Sequence, residues 1–99
     1  MNVLSSTALS GLAAAQTRLA ASANNIANLN TPGFRRDEVQ AQAAPEGGVQ
    51  VSVQKADQPG ADLTRDVVEQ MAAAYEFKAN LQVIKTERAT TGSLLDAVA

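Results

Sequence analysis

The sequence contains no cysteine and no histidine. Their absence excludes disulfides, thiol nucleophiles, imidazole acid/base chemistry and zinc sites of the usual ligand set. Aromatics are scarce, with one Tyr, two Phe and no Trp, too few for a stacking platform that would bind nucleic acid. Eight Lys and Arg against ten Asp and Glu leave a formal charge of -2, so there is no electrostatic reason to bind nucleic acid or to hold an anionic membrane. No apolar run approaches the ~20 residues of a membrane span. Ala20-Ala21-Ser22-Ala23 resembles a cleavage site, but no basic residue precedes Arg18, and Ser5, Ser6, Thr7, Ser10 and Gln16 interrupt the apolar stretch. Ordinary secretion with a cleaved signal is therefore not expected. Asp37 and Glu38 would point to opposite sides of a strand, which rules them out as the paired carboxylates of a glycosidase. The expectation is no enzyme, with no catalytic residue, cofactor or metal ligand assigned.

What is present is helix. Leu4, Ala8, Leu12, Ala15, Leu19, Ala23 and Ile26 follow one another at spacings of three and four, the mark of one helical face. Pro32 pushes Thr31 out of the α region and Gly33 follows as a turn residue, so this helix should end near Asn30. A second stripe runs through Leu63, Val67, Met71, Ala74, Phe77, Leu81, Ile84, Arg88, Thr91, Leu95 and Val98. Asp62, Asp66 and Glu69 near its start suit the positive end of a helix dipole, and Gly92 should weaken its last turns. Between the helices lie all three Pro and four of the six Gly. Alternation at Val49, Val51 and Val53, with Pro45-Glu46-Gly47-Gly48 as the turn, predicts a hairpin with Val39 to Gln42. Such a hairpin needs a surface to lie on. Arg35-Arg36 reads as a solvated basic pair, and Tyr75 and Phe77 as core. The fold expected is mainly α: two long helices in an antiparallel coiled-coil-like hairpin with a short irregular or β-hairpin connector. Its parts are an N-terminal helix over 1–30, a connector over 31–61 and a C-terminal helix over 62–99, in one domain.

The first helix carries one charge, Arg18, between Met1 and Phe34. Ordinary domains carry about 25% charged residues, mostly on solvated faces. A long helix of Ser, Thr, Ala, Gln and Asn is suited to being surrounded, and two long rods share only one seam. An Ala-rich hairpin or dimer is the plainer alternative. Asn24, Asn25, Asn28 and Asn30 make a poor helix interior, because Asn competes for backbone hydrogen bonds. They serve either as cross-links at the helix end or as simple terminators.

The run Ala23-Asn24-Asn25-Ile26-Ala27-Asn28-Leu29-Asn30-Thr31-Pro32-Gly33-Phe34, with Leu9-Ser10-Gly11-Leu12, Ala14-Ala15-Gln16 and Arg18-Leu19 before it, resembles the N-terminal signature of the flagellar rod, hook and hook-associated axial proteins. Asp62-Leu63-Thr64-Arg65, Met71, Ala74-Tyr75-Glu76, Ala79-Asn80, Val83-Ile84-Lys85-Thr86 and Leu94-Leu95-Asp96 are similar to that family's C-terminal helix. The resemblance implies a short proximal-rod-like structural subunit that polymerises through its terminal helices as part of the motility drive shaft. It implies copies of itself, other rod and basal-body proteins and the flagellar type III export apparatus as partners, and a place in the periplasm-spanning rod. The expected subunit interface is Leu4, Leu12, Leu19, Asn24, Asn25, Ile26 and Asn28 on the first helix, and Val67, Met71, Tyr75, Leu81, Ile84 and Leu95 on the second. The short connector also fits a non-polymerising paralogue acting as an adaptor or regulator of flagellar assembly or export. A peptidoglycan hydrolase would need a separate domain for which the chain has no room.

Overall fold

A computed structural model describes residues 3–98. The chain is mainly helical, with two long helices joined by an antiparallel β-hairpin: α1 spans Val3–Ala27, β1 Asp37–Ala43, β2 Val49–Lys55 and α2 Leu63–Val98. The helices, of 25 and 36 residues, are about 37 and 54 Å long at 1.5 Å per residue. They run antiparallel. Ser5 bonds Glu87, Arg18 bonds Glu76 and Glu69, and Asn25 bonds Asp66, so positions rise along α1 as they fall along α2.

The Asn-rich segment explains how α1 ends. Asn28 Nδ2 donates back to the Asn24 carbonyl at 2.9 Å, and Asn28 Oδ1 accepts from Thr31 Oγ1 at 3.1 Å. These local bonds turn the chain before Pro32 does, so the helix stops at Ala27, a little short of the Asn30 expected from the proline alone. Gly33 follows at φ +74°, a left-handed conformation that favours glycine. α2 is started by Asp62, whose Oδ1 accepts the Arg65 N–H at 3.1 Å, satisfying one of the orphan donors of the first turn. α2 runs through Gly92 without a break to Val98.

In the hairpin Val39 faces Val53, Ala41 faces Val51 and Ala43 faces Val49, a register that gathers the apolar side chains on one face. Ala56 N–H donates to the Arg36 carbonyl at 2.8 Å and extends the ladder by one residue. The hairpin lies along α1. Its tip is held where the Val49 N–H donates to Ser10 Oγ at 3.0 Å, while Ser10 Oγ donates to the Thr7 carbonyl at 2.8 Å. Its base is held at Asn25. The rise from Ser10 to Asn25 is about 22 Å, and a seven-residue strand covers about 23 Å, so the two ends of β1 meet the two ends of this helical stretch.

The molecule measures 63 × 25 × 14 Å and exposes 6761 Å². A compact protein of 10.3 kDa would expose about 5,400 Å². The excess is the price of a flat, extended shape with one buried seam.

Candidate functional site

The seam between the helices is built from small and polar residues. On α1 the buried positions are Ser5, Ala8, Ala14, Ala15, Ala21, Ser22 and Asn25; on α2 they are Asp66, Ala73 and Ile84. Ala15 and Ala73 have no exposed surface at all. Gly11 shows how close the backbones come: a Cβ there would lie 2.6 Å from Asn80 Oδ1. Small residues permit this approach, and the cost is that little apolar area is removed from water.

Three polar ties fix the seam. Near its middle the guanidinium of Arg18 reaches two carboxylates seven residues apart, Glu76 at 2.5 Å and Glu69 at 3.0 Å. The hydrogen bond to Glu76, with Glu69 beside it, raises the Arg18 pKa above its usual value against the opposing effect of burial. Near the start of α1, Ser5 Oγ donates to Glu87 at 2.7 Å.

The third tie joins both helices and the connector. Asp66, only 2% exposed, is held by Arg36 through two hydrogen bonds, Nε to Oδ2 at 3.1 Å and Nη2 to Oδ1, and accepts a third from Asn25 Nδ2 at 3.1 Å. A buried carboxylate is tolerated only when its lone pairs are filled in this way. The bond to Asp66 raises the Arg36 pKa. Asn25 does more than touch Asp66. Its Nδ2 donates to the Asp37 carbonyl at 2.9 Å and its Oδ1 accepts the Asp37 N–H at 2.7 Å, so the side-chain amide pairs with the first residue of β1 as a neighbouring strand would. Asp37 in turn accepts from Asn24 Nδ2 at 2.8 Å and pairs with Lys55 at 2.6 Å, and the Lys55 ammonium lies 4.8 Å from the centre of the Phe34 ring. The hydrogen bond from Lys55 lowers the Asp37 pKa below the usual carboxylate value.

The large apolar side chains mostly stay outside. Leu63, Val67, Met71 and Tyr75 sit at i, i+4, i+8 and i+12, one ridge along the first half of α2, and all are exposed. Leu94, Leu95 and Val98 are exposed at the far end, and the whole stretch Arg88–Val98 lacks the burial of the turns before it. Where α1 begins against α2, an open groove of about 600 Å³ is lined by residues including Leu4, Val83, Thr86, Thr90 and Leu94.

Among the residues expected at an interface, Leu4, Val67, Met71, Tyr75, Leu95 and Asn24 are exposed; Leu12, Leu19, Ile26, Asn28 and Leu81 are half-buried; Ile84 and Asn25 are buried within the chain's own seam. Tyr75 is 76% exposed, so it lies outside the core where a lone tyrosine was expected. Arg36, expected in solvent, is buried against Asp66, and the acids expected only to favour the start of α2 include two, Asp66 and Glu69, that bind arginines. Sequence reading missed Arg36 and Asp66 as partners because they lie thirty residues apart; the one signal was a carboxylate at a seam position.

The pocket beside this polar joint, lined by Arg18, Ser22, Asn25, Arg36, Asp37 and Glu69 among others, holds about 60 Å³, well below the ~300 Å³ at which small-molecule sites begin. Among the described residues no group of three or more acids could hold a metal ion, and no helix is long and apolar enough to cross a membrane. The arrangement is suited to holding surfaces in place. Comparison with the curated proteins gives no match. Residues 1–35 match the family model described as flagella basal body rod protein, a family of structural flagellar proteins, which supports the basal-body rod family for this chain.

Proposed function

We propose that this chain of the basal-body rod family is a structural subunit that polymerises through its two long helices. A rod-related structural role and a basal-body location rest on the family match over residues 1–35. Polymerisation is the further step, and one observation carries it: the helix pair spends its small residues on its own seam and leaves its large apolar ones outside. Leu63, Val67, Met71 and Tyr75 form one exposed ridge, and Leu94, Leu95 and Val98 a second. Apolar area of this kind is stabilised when neighbouring copies cover it, at about 25 cal/mol per Å². The interface would be the exposed members of the expected set, Leu4, Val67, Met71, Tyr75 and Leu95, with half-buried Leu12, Leu19 and Leu81 at its margins. Under this reading the partners are further copies, other rod proteins and the flagellar type III export apparatus, and the assembled chain lies within the periplasm-spanning rod.

The test is a concentration series of the purified chain followed together by circular dichroism and light scattering. Growth of mass with concentration, with helix content rising alongside, supports the polymerising subunit. A fully helical species of constant small mass would overturn it in favour of a soluble adaptor or regulator of flagellar assembly.

A further inference from the structure

The helix pair has two unlike sides. Successive residues of a helix are turned by about 100°, so a side chain four residues on from a seam position stands about 40° to one side of the seam, and one four residues back about 40° to the other. On α1 the steps back from Ala15 and Ser22 reach Gly11 and Arg18; on α2 those from Ala73 and Asn80 reach Glu69 and Glu76. Arg18 bonds both glutamates, so in this antiparallel pair the backward steps lead to the same side. The forward steps share the other. From Ala8, Ala15 and Ser22 they reach Leu12, Leu19 and Ile26; from Asp66, Ala73 and Asn80 they reach Gln70, Phe77 and Ile84. One side is charged and the other apolar. The hairpin packs on α1 and not on α2, and its ties to Asn25 and Ser10 lie about 60° and 160° back from Ser22 and Ala8, toward the charged side. The apolar side is left open, and Leu12, Leu19, Ile26, Phe77 and Leu81 are only half-buried there.

That side carries one row per helix, each stepping alternately by three and four: Leu9, Leu12, Gln16, Leu19, Ala23 and Ile26 on α1, and Leu63, Val67, Gln70, Ala74, Phe77, Leu81 and Ile84 on α2. Such spacing makes the seam of a helical bundle. Neither row contains a charge, and Lys78 and Lys85, one residue past Phe77 and Ile84, are turned about 100° to the rim. The rows are also centred on one level. Asn25 lies beside Asp66 and Gly11 beside Asn80, so the midpoint of Leu9 and Ile26, between residues 17 and 18, is level with the midpoint of Leu63 and Ile84, between residues 73 and 74. A single two-fold axis at that level therefore lays each row antiparallel on a copy of itself. Leu9 meets Ile26 of a second copy, Leu12 meets Ala23, Leu63 meets Ile84, Val67 meets Leu81, Gln70 meets Phe77, and Ala74 meets its own counterpart. The two Gln16 amides flank the axis, each a donor and an acceptor for the other. Arg88, the first charge in line with the α2 row, falls beyond the start of the second copy's α2. Self-complementarity of this kind is what an isologous contact requires.

We infer that two copies of this chain pair through their apolar sides as an antiparallel four-helix bundle, α1 against α1 and α2 against α2, with Leu12, Leu19, Phe77 and Leu81 of both copies at its centre. The rows are about 26 and 32 Å long and the helices about 9 Å apart, which makes a strip of about 500 Å² in plan. Interlocked side chains bury more than the plan area, close to the ~800 Å² per partner of a stable pair. The charged side, the hairpin and the outer residues Met71 and Tyr75 stay outside the bundle. The contact is therefore separate from growth through the outer ridge and forms whether or not larger assemblies do.

Because the chain has no cysteine, single introduced cysteines report the pairing, read as covalent dimer on denaturing, non-reducing electrophoresis after mild oxidation. Two copies of Ala74 meet at the axis, within disulfide reach. Two copies of Ala23 are displaced by eleven residues along the helices, about 17 Å. Ala74→Cys should therefore give at least about tenfold more covalent dimer than Ala79→Cys, which is exposed on the outer face. Ala23→Cys alone should give no more than that control, whereas mixing it with Leu12→Cys should link the two chains. Met71→Ser added to Ala74→Cys should leave the link unchanged. Leu19→Asp added instead, at unchanged helix content by circular dichroism, should reduce it to the Ala79→Cys level, because the bundle would bury a carboxylate without a partner. Ala74→Cys linking no better than Ala79→Cys would overturn the inference. So would self-linking of Ala23→Cys, which marks a parallel pairing, or survival of the Ala74→Cys link beside a helical Leu19→Asp. Loss of the link with Met71→Ser would assign the contact to the outer ridge and overturn it equally.

Discussion

The inner and outer faces of the same helices obey opposite rules. Inside, Ala8, Ala15, Ser22 and Ala73 let the backbones approach and leave the specific energy to Arg18, Asn25 and Asp66. Outside, Met71, Tyr75 and Leu95 carry the apolar area but touch little of their own chain. Usually a single face of an amphipathic helix supplies both cohesion and specificity. When the two are divided, stability of the chain and stability of any assembly become separately adjustable, because a change on one face leaves the other in place.

That separation can be broken most sharply at Asp66. Asp66→Ala leaves the buried Arg36 guanidinium without its partner, and the expected loss is about 3–5 kcal/mol in urea unfolding at fixed protein concentration. A loss below about 1 kcal/mol would mean that water reaches Arg36 freely and that the inner face is less closed than its exposure indicates. Next, Ala15→Leu should cost about 1–3 kcal/mol by the same measurement, since no space is open at that fully covered position. Gly48→Ala acts on the clip between hairpin and helix. Gly48 has φ +83°, and a Cβ there would lie 2.5 Å from Ser10 Oγ. A cost of about 1–2 kcal/mol is expected, read as faster amide hydrogen exchange in β1 and β2 with that of the helical seam unchanged.

Smaller effects sharpen the comparison further. Because its folded-state pKa is lowered, chiefly by Lys55, the Asp37 carboxyl contributes stability at pH values above its unfolded value and loses it as the pH falls through the folded one. Thermal unfolding followed from pH 6 downward should show an acid-dependent loss of about 0.5–1 kcal/mol that Asp37→Asn lacks. Finally, Met71→Ser with Leu95→Ser should alter unfolding of the single chain by no more than about 0.5 kcal/mol per substitution, while abolishing growth of mass with concentration. Were these outward changes as costly to the chain as Ala15→Leu, the division between faces would fail.

Much of the architecture was legible in the sequence: the spacing of three and four gave both helices, Pro32 and Gly33 the end of the first, and the alternating valines with Gly47-Gly48 the hairpin. The packed face of α2 was harder to read, for a geometric reason. The stripe begins at Leu63, Val67 and Met71, two steps of four, and each such step turns 400°, or 40° beyond a full circle. Val67 and Met71 therefore turn away from the seam, and the later steps of three, each 60° short of a full circle, bring the stripe back to half-buried Phe77 and Leu81 and buried Ile84. Hydrophobicity favoured the large residues, whereas close approach selected Ala73 and Asn80. On α1 the same reading found Ala8 and Ala15 correctly but placed exposed Leu4 and Ala23 on the seam stripe. The Arg36–Asp66 bond escaped because a pair formed across a hairpin has no local periodicity.

The antiparallel course also brings Val3 and Val98 to the same end of the molecule. A pulling force applied there would peel the helices apart and not drag one along the other. Contacts would then fail in sequence: Ser5 with Glu87, the Gly11–Asn80 approach, Arg18 with its two glutamates, and last Asp66. Load along the 63 Å axis would instead strain all of these together. The chain is therefore mechanically anisotropic, weak to being unzipped from its open end and strong along its length.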